Sequence, residues 1–174
     1  QQALAALRLI GSSLQTAYHD GSNQAAREAM MLGSTLAGIA FCNSSVALVH
    51  GMSRPIGAFF HVPHGLSNAM LLPTITEFSI PNAPERYADC AHALGITAAD
   101  DSVDTANQKL IEFLKAINQE FEVPTLQSFG VDRQYFDGVL DTMCEQAFGS
   151  GSPNNNPRVP DTTQMLSLYR KLWD

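Results

Sequence analysis

Leu48-Val49-His50-Gly51-Met52-Ser53-Arg54-Pro55-Ile56-Gly57-Ala58-Phe59-Phe60-His61-Val62-Pro63-His64-Gly65-Leu66-Ser67-Asn68-Ala69 holds three of the five histidines of a 174-residue chain. Apolar residues enter this stretch at helical density until Pro55 and Gly57 interrupt them. The segment from Ser53 to Gly65 reads as a break and a short connector, closed by Val62-Pro63-His64-Gly65, and helical spacing resumes at about Leu66. Strict alternation of apolar and polar residues, the mark of a half-buried strand, is missing here and along the chain. Helix, break, helix is the predicted pattern, and an all-α fold follows.

Upstream, Gln24 to about Val49 is rich in Ala, Gly, Ser and Met with apolar residues on nearly every face, which predicts one helix buried on several sides. The turn Asp20-Gly21-Ser22-Asn23 precedes it, and Leu4, Leu7, Leu14 and Tyr18 predict a first helix from Ala3 to about Tyr18. Downstream, Pro81 ends an element, and Pro84-Glu85-Arg86 starts another that stops at Gly95. Further helices are expected over about Asp101–Phe121, Asp132–Phe148 and Asp161–Trp173, their acidic starts serving as caps or first-turn charges. The run from Gly149 to Pro157 reads as one turn-rich loop near the surface or a cleft. Residues 1–174 are expected to form a single helical domain.

Ten basic residues against seventeen acidic ones give a formal charge of −7 with no Lys/Arg run, so nucleic acid is excluded as an expected partner. Cys42, Cys90 and Cys144 are widely spaced without a CxxC, which argues against a disulfide framework or cysteine zinc site and for a reducing, cytoplasmic setting. No run approaches the roughly 20 apolar residues of a membrane span, so no membrane partner is expected. Neither a GxGxxG nor a GxxxxGK[ST] appears, so no dinucleotide-binding fold of its own is expected, and a GxSxG elbow is absent too. With no initiator Met and an uncapped helical start, the chain is expected to be a piece of a longer protein.

His50, His61 and His64 are the chemical focus, since imidazole is a common neutral metal ligand. On one continuous helix, His50 and His64 would stand about 21 Å apart at 1.5 Å rise per residue. If both bind one metal, the chain must reverse between them; the alternative is that they cap helices or sit satisfied in a core. Two histidines do not complete a catalytic site, and Glu77, Asp89 and His92 have no diagnostic spacing. The remaining ligands are expected outside this chain.

The quoted segment resembles the signature of iron-containing (group III) alcohol dehydrogenases. The likeness extends to Gly38-Ile39-Ala40-Phe41-Cys42-Asn43, Leu71-Leu72-Pro73, Arg86-Tyr87-Ala88 and Asn156-Pro157-Arg158. It implies an all-helical C-terminal domain that holds a divalent metal, Fe2+ or alternatively Zn2+, beside an N-terminal domain that binds NAD or NADP. In that family the metal takes an Asp and a His from an upstream D-x-x-x-H helix, and two further histidines at the positions of His50 and His64. Hydride transfer between an alcohol or aldehyde substrate and the nicotinamide takes place between the two domains.

Other site residues follow from the same resemblance. Phe41 and the Ser152 to Asn156 loop match positions at the substrate pocket, although plain helix packing explains Phe41 equally well. The family often carries a histidine four residues after the first of these ligands, where this sequence has Arg54. Arginine stays charged and only donates hydrogen bonds, so proton transfer would need water, a cofactor hydroxyl or His61. Arg54 would instead suit a carboxylate or phosphate. A homo-oligomer, a dimer or larger, is the expected assembly. The rival expectations are a non-catalytic helical association module, and a related reductase acting on an anionic substrate.

Overall fold

A computed structural model of the chain describes residues 1–173 and contains eight α-helices and, among those residues, no strand. They are α1 (Gln2–His19), α2 (Gln24–Ser44), α3 (Leu48–Phe60), α4 (His64–Ser79), α5 (Pro84–Leu94), α6 (Val103–Glu120), α7 (Arg133–Gly149) and α8 (Thr162–Arg170). Short 3-10 turns cover Ile80–Asn82 and Ser152–Asn155. The chain divides into two compact units, residues 1–45 with 83–113, and residues 46–82 with 114–174.

Most helix ends lie where the capping residues put them. Asn23 caps α2 by accepting from the Ala26 amide, and Asp132 caps α7 by accepting from Tyr135. Asp161 and Gln164 form a reciprocal capping box at α8, Pro84 occupies the first turn of α5, and Gly95 ends that helix at φ 76°. At α6 the cap is Ser102, whose Oγ accepts from the Thr105 amide at 3.1 Å; the Asp101 carboxylate turns instead to the Ala98 amide and to Lys109.

Two expected boundaries are corrected. The helix read from Gln24 to about Val49 is two helices, because the backbone enters the left-handed region at Ser45 (φ 66°) and α3 starts afresh at Leu48. The break read at Pro55 and Gly57 is absent: both residues lie inside α3, and the reversal falls at His61-Val62-Pro63. Pro55 removes one helical hydrogen bond without ending the helix, because its ring is fully buried and packing holds the chain helical on both sides. His61 caps α3 in the left-handed conformation (φ 56°) and donates its amide to Gly57. Val62, 3% exposed, anchors the turn, and Pro63 keeps it extended before α4 begins.

The first unit packs by small residues. Ala6, Ala26, Ala88, Ala91 and Ala106 are buried, a Cβ on Gly33 would meet Ile10 at 2.9 Å, and one on Gly11 would meet the Leu94 carbonyl oxygen at 2.5 Å. The second unit has a core of large side chains, among them Leu48, Met52, Ile56, Leu71, Phe136, Met165, Tyr169 and Trp173. Tyr169 fastens α8 to α3 by donating its hydroxyl to the Met52 carbonyl at 3.0 Å, and burial pushes that phenol far above its ordinary pKa. Pro73 inside α4 leaves the Ala69 carbonyl without its helical partner, and Asn118 of α6 supplies one at 2.8 Å.

Candidate metal centre

His50 and His64 come together within the second unit. His50 sits in the first turn of α3 and His64 is the first residue of α4; the chain turns between them at His61-Val62-Pro63, and the two rings lie 5.2 Å apart between centroids, inclined at 60°. Imidazoles bound at 2.0–2.1 Å put each ring centre about 3.2 Å from the cation, so two at a tetrahedral angle have centres about 5 Å apart. The donor pair therefore fits two positions of a metal site. Among the described residues no group of three or more His, Cys, Asp or Glu side chains gathers that could hold an ion.

Three features hold the pair. Gly51, next to His50, is buried, and a Cβ there would meet the Pro153 ring at 3.0 Å; only glycine lets the Ser152–Asn155 turn press so close to the first turn of α3. Asn155 from the same turn donates to the Val46 carbonyl at 2.9 Å, just ahead of that helix. At the far end of α4, Asn156 donates to Ser79 Oγ and Arg158 to the Phe78 carbonyl, with the Arg158 guanidinium 4.1 Å above the Phe78 ring. The run expected as a turn-rich loop near the surface or a cleft is a clamp on both helices of the pair, with Ser152 5% exposed and Pro153 buried.

The surroundings favour the neutral ligand form of one partner. Burial, then the charge of His64, then that of Arg54 hold the His50 imidazole below its ordinary pKa. Arg54 is one helical turn beyond His50 on α3; it is exposed and makes no hydrogen bond or ion pair with the described residues. His64 approaches Ser53 Oγ through Nδ1 at 3.4 Å and the Asn68 amide through Nε2 at 3.2 Å.

His61 is exposed at the end of α3 and lines a recess of about 220 Å³ with Phe59, Phe60, Phe129 and Tyr135; no hydrogen bond or ring contact joins it to His50 or His64. Phe41 lies on α2 in the first unit, 50% exposed. Ser152 packs against Gly51, beside His50 in the chain. Ser53 and Asn68 escaped sequence reasoning; the available signal was a polar residue one turn after each histidine, on helices otherwise rich in apolar side chains.

The family model for the C-terminal part of the Fe-containing alcohol dehydrogenase family matches residues 1–173. The bifunctional aldehyde-alcohol dehydrogenase of Escherichia coli K12 is 35% identical over 96% of this chain and 21% of its own length. The NADPH-dependent butanol dehydrogenase of Clostridium saccharobutylicum is 32% identical over 98% of the chain and 43% of its own length. Among solved structures, a 1,3-propanediol oxidoreductase superposes with a TM-score of 0.91 at 32% identity, over 99% of this chain and 44% of that one. The iron-containing alcohol dehydrogenase of Thermococcus thioreducens gives 0.83 at 30% identity, over 99% and 43%. The chain thus spans less than half the length of these relatives. With its all-helical fold, it belongs to the iron-containing alcohol dehydrogenase family, as its C-terminal helical part.

Proposed function

We propose that this chain supplies His50 and His64 as two ligands of a divalent metal, Fe2+ or Zn2+, in an NAD- or NADP-dependent oxidoreductase that interconverts alcohols and aldehydes or ketones. The observation that carries the reading is the 5.2 Å pairing of the two imidazoles at the starts of α3 and α4. The other ligands and most of the nicotinamide site belong to parts of the protein outside this sequence. When bound, the metal supplies Lewis acidity toward an alcohol or carbonyl oxygen. The chain's own work is to hold two neutral imidazoles at fixed separation. The depressed pKa of His50 keeps that ring unprotonated to lower pH than a free histidine.

Relatives named for butanol, 1,3-propanediol and lactaldehyde support a small alcohol or aldehyde as substrate. Arg54 favours a second reading within the same chemistry, a substrate that carries a carboxylate or phosphate, because its guanidinium is exposed one helical turn from His50 without an anionic partner among the described residues. Arg54 cannot relay a proton, so the alcohol proton passes to water, a cofactor hydroxyl or the exposed His61. The apolar side chains that α2 exposes, Met31, Leu32, Ile39 and Phe41, support assembly with further protein, in a homo-oligomer or with the rest of the same polypeptide. Three free cysteines support a reducing, cytoplasmic setting.

The test is metal content together with NAD(H)- and NADP(H)-linked turnover of neutral and carboxylate-bearing alcohols, in this chain joined to its nicotinamide-binding part. Turnover that is lost with the metal in His64→Ala supports the reading. Turnover equal to the parent after that substitution would sink it, and a preference for carboxylate-bearing substrates that vanishes in Arg54→Gln would establish the anionic variant.

A further inference from the structure

One hydroxyl reaches both members of the histidine pair. Ser53 is fully buried on α3, donates its Oγ–H to the His50 carbonyl at 3.3 Å, and has His64 Nδ1 at 3.4 Å. A buried serine on a helix that also buries Leu48, Met52 and Ile56 costs desolvation energy unless its oxygen is partnered. The hydroxyl carries a single proton. With that proton on the His50 carbonyl, the oxygen offers His64 only lone pairs, so the bond to His64 requires the ring hydrogen to sit on Nδ1.

The consequence falls on the other ring nitrogen. A neutral imidazole protonated at Nδ1 has an unprotonated Nε2, the form that accepts a cation. Nδ1 itself faces the hydroxyl of the fully buried Ser53. Nε2 meets only the Asn68 amide, which in this tautomer donates to its lone pair at 3.2 Å. The Asn68 Oδ1 is left buried without a partner, so that side chain is not tied down from its other end and can give way.

We propose that Ser53 is a positioning residue for the metal pair: it accepts the Nδ1–H of His64, gives its own proton to the His50 carbonyl, and so presents an unprotonated His64 Nε2 for ligation. This rests on the reading of His50 and His64 as ligands. It accounts for a polar residue at a core position of α3, and it makes one side chain responsible for both the tautomer of one ligand and the backbone of the other.

The experiment uses this chain joined to its nicotinamide-binding part, with 15N-labelled histidine. NMR without metal reads the His64 tautomer, and Zn2+ titration reads affinity, in the parent and in Ser53→Ala, Ser53→Thr and His64→Ala. The parent is expected to show His64 protonated at Nδ1. Ser53→Ala shifts it toward the Nε2–H form and weakens Zn2+ binding about tenfold, whereas Ser53→Thr, which keeps the hydroxyl, restores both. An unchanged tautomer and affinity in Ser53→Ala overturns the proposal, and so does a parent whose His64 is mainly Nε2–H, a result that needs no variant to fold. Unchanged Zn2+ affinity in His64→Ala overturns the ligand reading instead, while the metal-free tautomer still decides the role of Ser53.

Discussion

The two units solve helix packing in opposite ways. In the first, helices approach because side chains are missing: Gly11 lies against the Leu94 carbonyl, Gly33 against Ile10, and the buried positions are mostly alanine. In the second, large side chains interlock, with Phe136 5.4 Å from Trp173 and 6.0 Å from Phe60 between ring centroids. Close backbone approach gains dispersion contacts without much apolar area, whereas the aromatic and Met-rich core removes far more surface from water. The unit with the larger core is also the one that holds the histidine pair. Holding two imidazoles at a fixed separation calls for helices that cannot slide.

That contrast can be broken by substitution. The largest effect is expected in the second unit: Phe136→Ala, at a fully buried position, should cost about 3–5 kcal/mol in urea unfolding. Gly11→Ala comes next at about 1–3 kcal/mol, since its methyl would meet a backbone oxygen that cannot rotate away. Gly38→Ala, with nothing within 4 Å of the new atom, should instead stabilise α2 by roughly 0.5–1 kcal/mol. Equal losses at Gly11 and Gly38 would show that glycines in the first unit serve flexibility rather than close packing.

Asn118→Ala should cost about 1–2 kcal/mol, because it strands the carbonyl that Pro73 has already deprived of its helical partner. The smallest effect is electrostatic. Arg54→Gln removes the least of the three causes that depress the His50 pKa, so an NMR titration should show that pKa rising slightly toward the ordinary value. The sign of the linkage is fixed: a depressed histidine pKa means the folded form binds fewer protons than the unfolded one. The contribution of His50 is present above the ordinary histidine pKa and lost as pH falls through it toward the depressed value.

Where local chemistry decides an element, the sequence was readable. Asn23, Pro84, Gly95, Asp132 and Asp161 mark helix ends through capping and backbone preference, and the structure keeps each one. Reading failed where packing overrides preference. Pro55 argues for a break, yet its fully buried ring is carried inside α3. Ser45 gives no warning of its left-handed φ, which splits one expected helix into two.

The candidate site shows the same division. His50 and His64 stood out by residue type and by the need for a reversal between them. The residues that fix their geometry did not, because Gly51, Ser53 and Pro153 act through contacts spanning up to about a hundred residues of sequence, which no local pattern encodes.

The central claim is that His50 and His64 bind one cation together. Following the ring-nitrogen resonances of the five histidines of this segment while Zn2+ is added to the metal-free protein, with the nicotinamide-binding part attached, tests it most directly. The account predicts that His50 and His64 shift together with a single midpoint while His19, His61 and His92 stay in place. Separate midpoints for the two, or a response led by His61 or His92, would contradict it.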